Sequence, residues 1–219
     1  MPDLDAIVET VIDRKRRLSA SRSLLVGLSG IDGSGKGLVA AQVASALTDA
    51  RIRPAVLNVD GWLNLPHVRF SRDRPAEHFY DHALRLDQLF EQLVLPLVRL
   101  RTHRLVAQYV GETATAYQPH TYDFRNVDVL LVEGIFIYKR AHRSHFDLAI
   151  WIDCSFETAL ERALARGQEG LGPEATIAAY QTIYFPAQRL HFQRDDPRNG
   201  ADAVLVNDPR LLETSRQKR

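Results

Sequence analysis

Five short apolar runs punctuate the chain: LLVGL at 24–28, AVLNV at 55–59, VLLV at 129–132, LAIWI at 148–152 and AVLV at 203–206. Each is nearly continuous rather than alternating, the pattern of strands buried on both faces of a parallel sheet. Between the runs the apolar period lengthens. Val39, Val43 and Leu47 recur at helical spacing after the first run. Leu86, Leu89, Phe90, Leu93, Val94 and Leu97 do so after the second, where Pro96 is expected to kink or end the helix. Ala159, Leu160, Ala163 and Leu164 follow the fourth. Strands alternating with helices predict a doubly wound α/β fold, a five-stranded parallel sheet with flanking helices. Ahead of it, Leu4, Ile7, Val8, Val11 and Ile12 stand behind Asp3, a suitable N-cap, and predict an N-terminal amphipathic helix within residues 1–20. Its last turn carries RKRR (14–17), read as cations at a helix C-terminus on a solvated face.

No repeat, low-complexity tract or Pro/Gly-rich linker interrupts the pattern, so residues 1–219 are read as one domain, with a polar, frayed tail over 208–219. Two segments do not fit the alternation: DGWLNLPHVRFSRDRPAEHFYDH (60–82) and YVGETATAYQPHTYDF (109–124). Inserts of this length at strand ends are commonly functional.

Composition narrows the function classes. With 28 Lys+Arg against 27 Asp+Glu the net charge is +1, so no whole-molecule field points to nucleic acid or an anionic membrane. Any basic site is local. One cysteine, Cys154, excludes an internal disulfide and fits a reducing compartment; it reads as a small core residue. No apolar run approaches a membrane span and the first ten residues are acidic, so a cytoplasmic location is expected. His142 and His145 lack further ligands and read as surface residues rather than a metal pair.

The strongest chemical signal lies between the first strand and the first helix. Gly30-Ile31-Asp32-Gly33-Ser34-Gly35-Lys36-Gly37, followed by Leu38, matches a phosphate-binding loop except at its last position. There a Ser or Thr hydroxyl normally meets Mg²⁺ and this chain has Gly37. Glycines let backbone N–H groups converge on phosphate oxygens, the following helix adds its positive end, and Lys36 supplies a point charge. Two acids close strands: Asp60 after AVLNV and Glu133 after VLLV. Ligands of open α/β sheets bind beyond the carboxyl strand ends, where a carboxylate orients Mg²⁺ or takes a proton from an attacking hydroxyl. Arg162 and Arg166, four apart, share a helix face from which guanidinium groups can close over a transferring phosphoryl.

SGIDGSGKG, NVDGWLN, HFYDHA, VLLVEGIF and the late YFPAQR…ADAVLVND occur in an order that resembles the uridine kinase and phosphoribulokinase-like group of P-loop kinases, over residues 24–208. The resemblance implies ATP as donor, Mg²⁺, and a small hydroxyl-bearing acceptor. It implies Asp60 as the acid activating the acceptor hydroxyl, Glu133 as the acid near Mg²⁺, Asp81 as a reader of ribose hydroxyls, and Arg162 and Arg166 as lid residues. The chain departs from the pattern in having Ala83 after the His of HFYDHA, Tyr109-Val110 in place of Tyr-Asp, and Arg166-Gly167 in place of Arg-Asp. The acceptor is therefore left open between a nucleoside and another small polyol or vitamin-like alcohol, with Trp62, Phe79, Asp81 and Tyr109 as candidate contacts. The reading is of a small-molecule kinase that engages neither nucleic acid nor membrane, with self-association left open. A nucleotide-binding regulator without phosphotransfer is the alternative, and Gly37 is its support.

Overall fold

The computed structural model describes residues 3–167 and 170–212. Five parallel strands form the central sheet: β1 Leu24–Gly30, β2 Pro54–Asn58, β5 Val129–Glu133, β6 Leu148–Asp153 and β7 Ala203–Val206, in the order β2-β5-β1-β6-β7. All five coincide with the apolar runs. β1 and β5 are buried along their whole length, as a strand covered on both faces must be. One core lies against the face built on Leu25, Leu130 and Trp151, and a second lies against Leu24, Val26 and Ile150.

The N-terminal helix α1, Leu4–Arg17, is capped by Asp3, whose Oδ1 accepts from Ala6 N at 2.9 Å. Ile7 and Val11 fill the second core beside Val43 and Leu47 of α2, Lys36–Asp49, so α1 covers its own sheet. The RKRR cluster is only partly a solvated face. Arg14 donates to the Asp147 carbonyl at 3.0 Å and Lys15 Nζ to the Arg22 carbonyl at 2.9 Å.

Pro96 does not end its helix. The 86–100 helix runs through it because a π turn, Phe90–Val94, precedes the proline and Leu95 N bonds the Phe90 carbonyl five residues back. The Gln92 carbonyl, which a residue 96 N–H would have capped, pairs with His103 Nε2 at 2.8 Å instead. The 173–195 helix repeats the device, with a π turn at Tyr180–Tyr184 ahead of Pro186.

The insert 109–124 is half strand: residues 111–117 turn, and 118–124 return along 103–109. β3, His103–Tyr109, and β4, Gln118–Phe124, pair antiparallel as a separate hairpin, with Leu105 opposite Tyr122 and Ala107 opposite His120. Other corrections follow from burial. His142 is 7% exposed and stacks on Phe90 at 4.7 Å, so it is not a surface residue. The tail is anchored as far as it is described: Asp208 is 1% exposed and accepts from Ser155 N and Thr158 Oγ1. Residues 213–219 of the expected frayed tail lie outside the described residues.

Strand β1 is tied to β6 by a side chain as well as by the ladder. The buried Tyr138 hydroxyl donates to the Gly27 carbonyl at 2.6 Å and accepts from Ile150 N at 2.8 Å. Tyr138→Phe leaves both groups without that partner in a dry core, costing about 1–3 kcal/mol. Calorimetry should show a drop in Tm of several degrees with the far-UV spectrum unchanged.

Candidate active site

Strand register assembles the site. Glu133, the last residue of β5, stands opposite Leu28 of β1 on one side and Asn58 of β2 on the other. The loop that follows β1 and the turn that follows β2 therefore rise on either side of it. That turn, Val59–Gly61, is a single 3-10 turn set by Asn58, whose Oδ1 accepts from Asp60 N at 2.6 Å.

The loop has its expected form. Gly33 and Gly35 have φ of +76° and +86°, which a side chain would strain, and a Cβ on Gly33 would lie 2.5 Å from the Ala159 carbonyl oxygen. The loop is braced from behind. Arg162 Nη1 donates to the Gly33 and Ser34 carbonyls at 3.3 and 3.2 Å, and its Nη2 to the Asn207 carbonyl at 3.0 Å. Asn207 Nδ2 adds a bond to the Ser34 carbonyl at 2.8 Å. Arg162 is thus a positioning residue that holds the loop backbone, with the half-buried Cys154 thiol beside its Nη1, rather than a lid group facing the reaction. Arg166 does face the cleft, 3.5 Å from Asp32.

The cleft holds about 600 Å³ of empty space, its open mouth included. Asp32, Lys36, Asp60 and Arg166 form its polar floor, while Phe70, Phe79 and Tyr184 form much of its wall. Asp32 is fixed within it: Tyr180 Oη donates to its carboxylate and its own N donates to Gln188 Oε1 at 3.2 Å. Burial alone would raise the Asp32 pKa, but the Lys36 and Arg166 charges and the bonds from Tyr180 and Gly33 hold it below the usual range. Asp60 opens onto the cleft, yet the walls crowding its carboxylate push its pKa up against the pull of Lys36. Glu133, 5% exposed, is raised to about 7 by burial, with Lys36 opposing and the charges of Asp60 and Asp32 adding.

Gly37 looks straight at Glu133: a Cβ built on it would lie 3.4 Å from Glu133 Oε1. The position that usually presents a hydroxyl is here open space beside a carboxylate. Leu38 turns its side chain outward, at 63% exposure, so only its backbone is available to the loop. Ser34 Oγ and Gly30 lie against each other beneath the loop.

The expected acceptor contacts divide. Phe79 lines the cleft. Trp62 does not: it is 0% exposed, stacked on Tyr122 at 6.0 Å and covered by Arg85. Asp81 lies on the outer side of the helix Pro75–His82, where Arg194 meets it at 3.5 Å. Two residues along a helix turn a side chain to the far face, so Phe79 and Asp81 cannot both look inward. Tyr109 packs over Gly61 and lines a separate groove with Asp60, His120, Tyr122 and Phe124. Sequence reasoning passed over Arg69, Tyr184 and Gln188, all of which line the cleft. The last two lie in the YFPAQR segment, and Arg69 in the 60–82 insert.

No family model matches the chain. Its relatives include the uridine kinase of Macrococcus caseolyticus strain JCSC5402, 27% identical over 194 residues that cover 84% of this chain and 88% of that protein. The uridine kinase of Staphylococcus aureus strain JH9 is 27% identical over 190 residues, 83% of this chain and 86% of that one. The chain is similar to the uridine kinases. A solved structure described as a possible uridine kinase from Bacillus stearothermophilus superposes with a TM-score of 0.71 over 92% of this chain and 96% of that one. At 19% identity that likeness speaks for the fold alone, a five-stranded parallel sheet with flanking helices. Among the described residues no helix is long and apolar enough to cross a membrane.

Glu133 supplies a measurable consequence. Between its ordinary value of 4.5 and about 7, the folded protein keeps a proton that the unfolded chain has released, so stability falls as pH rises across that window. Glu133→Gln removes the penalty. In metal-free buffer its Tm should match wild type near pH 4.5 and exceed it by several degrees above pH 7, measured by differential scanning calorimetry.

Proposed function

We propose that the protein is an ATP-dependent phosphotransferase that moves the γ-phosphoryl of ATP to a hydroxyl of a small molecule. The observation that carries this reading is the convergence of a braced phosphate loop, Asp60 and Glu133 at adjacent carboxyl strand ends, facing one cleft. The similarity to uridine kinases along most of the chain supports it.

The loop amides and Lys36 receive the triphosphate, and the N-terminus of α2 adds its partial positive charge. Arg166, from the end of the helix Phe156–Arg166, offsets charge on the transferring phosphoryl. Asp60 orients the acceptor hydroxyl and takes its proton as the oxygen–phosphorus bond forms and the bond to the ADP oxygen breaks. Its raised pKa suits that role, since a stronger base accepts the proton more readily.

The residues present fit a magnesium ion. Glu133 is a buried carboxylate without enough positive charge nearby to keep its pKa low, and the space at Gly37 lies directly against it. Among the described residues no cluster of three or more ligands forms a cage of its own. Mg²⁺ sites of nucleotide enzymes commonly rest on one or two carboxylates with the phosphates and water completing the shell. Glu133 and Asp60 would hold the ion. When bound, it neutralises phosphate charge and templates the displacement.

The test is ADP release against a panel of small alcohols. ATP binding without ADP release for every acceptor would leave a nucleotide-binding regulator in place of a kinase. Asp60→Asn keeps size and hydrogen bonding but cannot take a proton, so kcat should fall by about 10²–10⁴-fold while ATP affinity by calorimetry stays level. Lys36→Ala should weaken ATP binding and abolish transfer with the fold intact by far-UV spectrum. Unaltered ATP affinity in that variant would show that the loop is not the nucleotide site.

A further inference from the structure

Much of the cleft's polar lining is accounted for by a triphosphate, but the lining also holds two donors that the protein itself does not satisfy. Arg69 comes from the short helix Pro66–Arg69 and is 4% exposed. One terminal nitrogen bonds the Glu112 carbonyl, a neutral group, and the guanidinium lies 5.0 Å over the Phe70 ring. Its Nε is buried with no partner among the described residues. Gln188, 3% exposed, has committed Oε1 to the Asp32 N–H, which turns Nε2 away, and Nε2 is likewise buried and unpartnered. Both residues line the same cleft, together with Phe70, Phe79 and Tyr184.

A buried guanidinium bonded only to a carbonyl keeps most of its desolvation cost, and an orphaned amide adds to it. Both orphans are donors, so an occupant of this wall must bring acceptor oxygens. Burial lowers the Arg69 pKa, and Tyr184, Glu112 and Asp60 offset that only in part.

We propose that the acceptor is itself an anion: a small hydroxylated molecule carrying a carboxylate or phosphate that pairs with Arg69, with Gln188 Nε2 donating to a further oxygen. Phe70, Phe79 and Tyr184 enclose its carbon frame while its hydroxyl faces Asp60. The inference rests on the phosphotransfer reading above and sets the acceptor class apart from the neutral nucleoside in the relatives' name.

ADP release measured with matched acceptors tests it: D-glycerate against glycerol, ribose 5-phosphate against ribose, and uridine alone. The anionic member of at least one pair should exceed its neutral partner by about tenfold or more in kcat/KM, as a desolvated charge pair requires. The pair that shows the preference tells carboxylate from phosphate. Arg69→Gln should collapse that preference by raising KM for the anion, with KM for ATP little moved, and Arg69→Lys should restore part of it. A merely structural guanidinium would not be rescued in this way, and melting curves of both variants report on folding. Neutral acceptors or uridine turned over as well as any anion would overturn the inference and leave the kinase standing. So would a loss in Arg69→Gln confined to KM for ATP. An absence of ADP release with every acceptor, in protein that binds ATP, would remove the kinase reading and the inference with it.

Discussion

Lys36 stands among three carboxylates, Asp32, Asp60 and Glu133, each drawn toward ionisation by its ammonium and each crowded by the walls of one cleft. Such a group of charges is unstable unless something holds it in register, and here the sheet does. Glu133 pairs with Leu28 on one side and Asn58 on the other, so the turn carrying Asp60 and the loop carrying Lys36 cannot separate without unpairing β2 or β1 from the buried strand β5. Burial, with the charges of Asp60 and Asp32 adding to it, outweighs the opposing ammonium, which is why Lys36 alone does not bring the Glu133 pKa down.

Much of this was legible in the residues, and for physical reasons. β1, β5 and β6 are covered on both sides and must be apolar nearly throughout. The edge strands β2 and β7 are apolar but partly exposed, with Val56 at 40%, and acids that interrupt such runs mark the strand ends. The hairpin was missed because it has only one covered face. Leu105, Ala107, Tyr122 and Phe124 lie on the covered side, but Val106 on the open side is apolar and 62% exposed, so the period of two is broken and the segment passed for an irregular insert. Proline at 96 misled in the other direction, since a widened turn upstream accommodates it.

The candidate site was legible where backbone geometry decides function and poorly legible where side-chain direction does. The loop glycines, Lys36, Asp60 and Glu133 follow from motif and strand end. Proximity in sequence to Asp60 says nothing about whether Trp62 faces a ligand or the core. Spacing of four placed Arg162 and Arg166 on one face but could not tell that the first is spent on carbonyls behind the loop. Arg69 carried no signal beyond its place in a long insert, because burial of a charged residue is a property of the packed aromatic wall.

The brace at Arg162 bears on how the protein meets its nucleotide. Arg166 ends the same helix, one turn further on, and that helix is bolted to the loop backbone at Gly33 and Ser34 and to the strand-end residue Asn207. A cation mounted on such a beam has little freedom to swing in from solvent. The entropic cost of bringing loop and guanidinium together falls on folding, so association with a triphosphate draws on geometry already in place. The helix is a fixed jaw of the cleft.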